Sequence, residues 1–117
     1  MSCSVFCGLG ITYKQVGHVR KAIKYYKQAL KTSEKISDRR AEGIDVGNLG
    51  LTYSDLGEIR KAIDFLKQSL AIGEAIENPR IISLCEQKLK ELEEADPTFR
   101  FLVDYMEKLL YLLHKIQ

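Results

Sequence analysis

The sequence predicts an all-α protein built from repeated antiparallel helix hairpins. Three observations carry this expectation. A stretch of the chain recurs after forty residues, and within each copy the apolar residues fall at the three-and-four spacing of a helix. Proline occurs only at Pro79 and Pro97, so long stretches can run as uninterrupted helix. The 117 residues suffice for one domain, residues 1–117, and a composition of 45% apolar and 29% charged residues is that of an ordinary folded chain.

The recurrence is close. Gly10-Ile-Thr-Tyr-Lys-Gln-Val-Gly17 aligns with Gly50-Leu-Thr-Tyr-Ser-Asp-Leu-Gly57, and the match runs on through Arg20-Lys-Ala-Ile23 and Arg60-Lys-Ala-Ile63. Leu30, Glu34 and Ile36 recur as Leu70, Glu74 and Ile76. In each copy a first helix carries one stripe, Leu9, Tyr13 and Val16, then Leu49, Tyr53 and Leu56. Gly17 and Gly57 end these helices, because glycine takes the left-handed turn conformation at little steric cost. A second helix follows with Ala22, Ile23, Tyr26, Ala29 and Leu30, matched by Ala62, Ile63, Leu66, Ser69 and Leu70. Small residues at 10, 22, 50 and 62 mark where two helices approach closely. The two copies span residues 3–37 and 38–77.

Beyond residue 77 the chain stays helical while the signature fades. Pro79 suits the first turn of a helix, and Ile82, Cys85, Leu89 and Leu92 form its apolar stripe. Leu89 falls where Leu9 and Leu49 do, but Lys90 replaces the glycine and Glu93 the tyrosine. Asp96-Pro97 breaks this helix and opens the last one, with Asp96 as its cap. Residues 78–117 are therefore expected to form a degenerate third hairpin that covers the second repeat. Phe99, Leu102, Met106, Leu109, Leu113 and Ile116 would pack its final helix onto the helix before it.

These residues resemble the tetratricopeptide repeat: a large apolar residue, Leu-Gly, a Tyr, a turn Gly, an Ala, an aromatic and a second small residue. The first copy supplies Phe6, Leu9-Gly10, Tyr13, Gly17, Ala22, Tyr26 and Ala29; the second supplies Val46, Leu49-Gly50, Tyr53, Gly57, Ala62, Leu66 and Ser69. The period of 40, and Glu34 and Glu74 where a proline is usual, resemble the longer-helix variant of G-protein-signalling modulators and kinesin light chains. The resemblance covers residues 3–77. It implies a right-handed α-solenoid of three antiparallel helix hairpins, with a concave groove lined by the first helices, that binds protein rather than catalysing a reaction. It is specific for fold and says little of the partner.

By the same resemblance, the groove is lined by Cys7, Gly8, Ile11, Lys14 and Gln15, then by Gly47, Asn48, Leu51, Ser54 and Asp55, then by Lys88 and Glu91. An amide at Asn48 can fix an extended peptide backbone by donating and accepting at once; the plainer reading is a solvated surface Asn. One class of these repeats clamps C-terminal carboxylates with Lys and Asn in the first repeat, Asn in the second and two basic residues in the third. Here those places hold Cys7, Ile11, Asn48, Leu84 and Lys88, so the clamp is incomplete. Ile11 and Leu51 instead favour a peptide or helix with apolar anchors.

Two other surfaces stand out. The second helix carries Arg20, Lys24, Lys27, Lys31 and Lys35 along one stripe, which reads as a solvated face, a contact for an acidic protein or, less favoured, a nucleic-acid surface. Residues 1–40 hold nine Lys/Arg against two Asp/Glu, whereas 41–97 hold six against twelve, so the two parts could meet head to tail. In the final helix Phe101, Tyr105, Tyr111 and Leu112 add apolar surface beyond the packing stripe, which points to a homodimer or higher oligomer formed through this helix, with contact to another protein or domain, or ordinary packing, as the alternatives.

Enzyme chemistry is not expected. The chain has no glycine-rich phosphate loop, no metal-ligating histidine motif, and no Ser or Cys with a nearby histidine base. No cofactor is implied. Cys3, Cys7 and Cys85 are odd in number and read as buried thiols rather than a disulfide framework or zinc site. Without an apolar run long enough to span a bilayer or a secretory signal, the expected setting is the cytoplasm and no membrane partner.

Overall fold

The computed structural model of the protein describes residues 3–95 and 97–116. Helices follow one another as α1 (Cys3–Gln15), α2 (Val19–Lys35), α3 (Arg39–Asp55), α4 (Ile59–Ala75), α5 (Pro79–Ala95) and α6 (Pro97–Ile116), and no strand occurs among the described residues. From α2 to α5 every helix has 17 residues, and the forty-residue sequence period resolves into two helices and two short turns. The fold is an all-α solenoid.

The four turns between α1 and α5 share one backbone design. In each, the third residue past the helix donates its N–H back across five residues: His18 to Tyr13 O at 2.8 Å, Asp38 to Ser33 O at 2.9 Å, Glu58 to Tyr53 O at 3.0 Å and Asn78 to Gly73 O at 2.9 Å. This closure satisfies carbonyls that a helix end leaves unpaired, and it needs a left-handed residue just before the donor. Gly17 (φ 89°) and Gly57 (φ 81°) fill that place within the repeats, as the sequence implies. Between repeats the place is filled by Ser37 (φ 58°) and Glu77 (φ 55°), which carry side chains into a region that disfavours them. Those two turns gain side-chain caps instead. Asp38 accepts from the Ala41 N–H at 3.1 Å, and Asn78 accepts from the N–H groups of Arg80 and Ile81 at 3.1 and 3.2 Å.

Packing explains the recurring small residues. A Cβ at Gly10 would lie 2.7 Å from the Tyr26 ring, and one at Gly50 would lie 2.8 Å from Leu66 Cγ. The bulky residue of each second helix therefore fills the space that each glycine vacates. Leu49, Ala62 and Leu66 have no exposed surface, and burying a leucine of this kind contributes roughly 1.5–3 kcal/mol. Tertiary detail repeats as well: Tyr13 stacks on Tyr25 and Tyr53 on Phe65, both with ring centroids 5.3 Å apart. One buried feature has no counterpart in the other copy. Asp45 is almost wholly enclosed between α2 and α3, where the Ser33 hydroxyl donates to its Oδ2 at 2.7 Å.

The last two helices depart from the expected third hairpin. α5 packs onto the second repeat through Ile81, Cys85, Leu89 and Leu92, with Ile82 only half-buried. α6 does not return along α5. Leu102, Met106, Leu109, Leu113 and Ile116, expected to pack it there, are all exposed. The reason lies in α5. The positions that hold α3 against its own second helix are Val46, Gly50 and Tyr53, and forty residues later they are Glu86, Lys90 and Glu93. α5 keeps the face toward the preceding repeat and offers no apolar face to a following helix. The link is also short: a single residue separates α5 from α6, against three at each of the other turns. The side chain of Phe99 and the cap assigned to Asp96 lie outside the described residues.

Candidate functional site

α1 and α3 run side by side, and two cross-contacts fix their register. Lys14 Nζ lies 3.3 Å from Asp55 Oδ2, and Asn48 Nδ2 donates to Cys7 Sγ at 3.6 Å. Residues 7, 11 and 14 share one face of α1, and 48, 51 and 55 share one face of α3, at one- and two-turn spacing. With the outer pairs joined, Ile11 and Leu51 fall between them on a single surface. Ile11 is exposed, Leu51 and Asn48 are half-buried, and Gln15 stands exposed one turn beyond Ile11. Lys88, half-buried, places its Nζ 3.5 Å from Glu91 Oε2 on α5. Exposed pairs of this kind contribute about 0–1 kcal/mol, so Lys14–Asp55 reports position more than stability.

Gly47 does not face the groove. It is buried, and a Cβ there would meet Ser69 Oγ at 3.1 Å, so this residue belongs to the α3–α4 contact. The amide of Asn48 has one N–H engaged by Cys7 and keeps its carbonyl oxygen and second N–H for another contact. Sequence reasoning missed the far end of the surface. Ile44, Ile81 and Leu84 line an apolar cleft of about 180 Å³, edged by Arg40, Arg80 and Asn78. The forty-residue shift could have found it, since it pairs Arg40 with Arg80 and Ile44 with Leu84.

Electrostatics bear on the core more than on the groove. Burial pushes the Tyr26 phenol up to about 12 from its usual 10.0, with the nearby Cys7, Asp45 and Asp55 acting in the same direction. Burial also raises the Cys85 thiol, against a hydrogen bond with Ser69 that works the other way. A buried, high-pKa thiol is a poor nucleophile. Among the described residues, no group of three or more His, Cys, Asp or Glu could hold a metal ion. Arg20, Lys24, Lys27, Lys31 and Lys35 are all exposed on α2, and Lys31 and Lys35 border a shallow recess with Phe6, Gln28 and Thr32.

Phe101, Tyr105, Tyr111 and Leu112 are exposed on α6, and among the described helices α6 touches only α5. Near the junction, Arg100 and Val103 face Lys90, Glu93 and Glu94 of α5 across a cleft of about 230 Å³. No described helix is long and apolar enough to cross a membrane.

A comparison with curated proteins found no match. A comparison with protein families did: the profile described as tetratricopeptide repeat matches residues 2–75, well over half of the chain. Two hairpins closed by Gly17 and Gly57, each glycine-to-bulky contact in its place, make the same case in three dimensions. The chain belongs to the tetratricopeptide-repeat family, whose repeats mediate protein–protein interactions.

Proposed function

We propose that this protein is a non-catalytic scaffold that binds a peptide or helix of a partner protein along the surface shared by α1, α3 and α5, in the cytoplasm. The supporting observation is the pair of cross-contacts, Lys14–Asp55 and Cys7–Asn48, between which Ile11 and Leu51 lie as adjacent apolar anchors beside an amide with capacity to spare. Such a strip suits a segment that inserts apolar side chains and is held by its backbone at Asn48. The cleft of Ile44, Ile81 and Leu84 supplies a further anchor. Peptides selected from a random displayed library should bind saturably. Asn48→Ala and Leu51→Asp should each weaken them about tenfold or more, as loss of an interface anchor does. Binding that survives both substitutions, in variants with unchanged melting temperature, would place the site elsewhere.

A second reading rests on a separate observation. α6 is exposed along its whole described length while being rich in large apolar residues, so the chain also serves as a self-assembly element through Phe101, Tyr105, Leu112 and their neighbours.

A further inference from the structure

On a wheel of about 100° per residue, the apolar side chains of α6 occupy an arc of about 200°, from Phe101 to Val103, with Tyr111 alone on the opposite side among the charged residues. Leu102, Met106, Leu109, Leu113 and Ile116 run down its middle at alternating steps of four and three, the seam spacing of helices that pack on one another. Tyr105 and Leu112 flank the seam on one side, Val103 and Leu110 on the other. Exposure in this set runs from 38% at Val103 and Leu109 to 82% at Ile116. Side chains of these sizes present on the order of 1,000 Å² of apolar surface. A typical monomer's largest patch is about 300–600 Å², and a standard interface takes about 800 Å² from each partner. The chain's own α5 cannot cover this face, since Glu86, Lys90 and Glu93 stand where a second helix would pack.

We infer that the occupant is α6 of other copies of this chain, four such helices closing into an antiparallel bundle. The inference rests on the self-assembly reading and gives it a stoichiometry and an orientation. Width sets the stoichiometry. A two-helix pair buries the seam and leaves one flank wet, whereas a helix in a four-helix bundle has a neighbour on each side and buries both flanks. Charge and connection set the orientation. One edge of the arc carries Asp104, Lys108 and Lys115, and the other carries Glu107, Arg100 and His114, so each edge holds both an acid and a base. Antiparallel neighbours crossing near mid-helix bring acid to base on both edges and oppose their dipoles. With one residue joining α6 to the body, antiparallel packing places two bodies at each end of the bundle instead of four at one. Such an assembly is closed, as soluble homo-oligomers generally are. A lipid surface fits less well, because the polar arc mixes Asp104 and Glu107 with its bases, whereas helices that lie on anionic membranes are basic there.

Sedimentation equilibrium of the full chain tests this. A mass four times the 13.4 kDa chain is expected, falling to a single chain with Leu109→Asp or Met106→Glu. Both side chains are exposed in the isolated chain, so unchanged helix content and melting of the body should accompany the loss. A dimer would overturn the bundle while leaving self-assembly through α6 standing. A strict monomer, or an oligomer indifferent to both substitutions, would overturn the inference and the reading beneath it, as would a monomer that floats with phosphatidylserine vesicles. Small-angle scattering checks the orientation. Bodies at both ends of a rod about 30 Å long give a two-lobed distance distribution, and a single lobe would exclude the antiparallel arrangement.

Discussion

α3 and α5 occupy equivalent places forty residues apart, yet they have different neighbours. α3 is packed on two sides: Leu49 and Asp45 face the preceding repeat, while Gly50 and Tyr53 receive Leu66 and Phe65 of its own hairpin. α5 retains only the first of these faces, in Cys85 and Leu89, and its second face is Glu86, Lys90 and Glu93. Three substitutions in a repeated helix thus do two things. They give the repeat stack a polar end, which a solenoid needs for solubility, and they release the following helix from the stack.

The comparison breaks most readily at the α3–α4 contact. Leu66 is fully enclosed against Gly50, so Leu66→Ala should cost about 2–5 kcal/mol, read as a drop in the urea unfolding midpoint. Leu109→Ala on α6 removes the same atoms from an exposed site, and in dilute protein it should change stability by less than about 0.5 kcal/mol. Comparable losses at the two sites would mean that α6 is packed after all.

Restoring the second face of α5 sharpens the contrast. Glu86→Val, Lys90→Gly and Glu93→Tyr together recreate the residues that seat α4 on α3. The triple variant should draw α6 back toward α5, lower the binding of a dye that reports exposed apolar surface, and reduce self-association. Unchanged dye binding would show that the one-residue link, rather than the polar face, keeps the helices apart.

How far the fold could be read from sequence follows the same division. The two hairpins were legible because each contact is written twice: Gly10 with Tyr26, Gly50 with Leu66, and a turn glycine after each first helix. The departure of α6 was also written, in Lys90 and Glu93, but those residues register as a missing motif until the face they occupy is known. An apolar stripe shows that a helix seeks a partner and carries no information on which chain supplies it. That Asn48 and Leu51 share one face of α3 beside α1 was expected from the family pattern. The cleft beside Arg40 and Arg80 lay outside that pattern, at the start of each first helix. Gly47 was misplaced because a glycine has no side chain whose polarity could mark its face. Buried Asp45 has no sequence signature at all, since its partner Ser33 lies in the preceding repeat.

High pH probes the first repeat against the second, since Leu66 takes the place of Tyr26 in the second copy. The Tyr26 phenol sits at about 12 in the folded chain against 10.0 when unfolded, so the folded state holds this proton more tightly. Its contribution is complete below pH 10 and is lost as pH rises through 12. The raised Cys85 thiol acts with the same sign from a lower starting value. Unfolding midpoints measured from neutral to alkaline pH should therefore fall, and Tyr26→Phe should flatten the part of the fall above pH 10. An identical alkaline limb in the variant would remove Tyr26 as its cause.

The smallest effect separates the two kinds of turn. Gly17 (φ 89°) and Ser37 (φ 58°) both hold a positive φ, but only glycine does so without crowding between Cβ and the following carbonyl. Ser37→Gly relieves that strain and loses part of the gain to the greater freedom of glycine in the unfolded chain. The net should be a stabilisation of about 0.5–1 kcal/mol, and Gly17→Ala should cost a similar amount. Asp38 caps α3 from the next residue, so its bond to the Ala41 N–H should persist in Ser37→Gly. If Ser37→Gly destabilises instead, the serine side chain takes part in the turn, and the junctions between repeats are held by more than their caps.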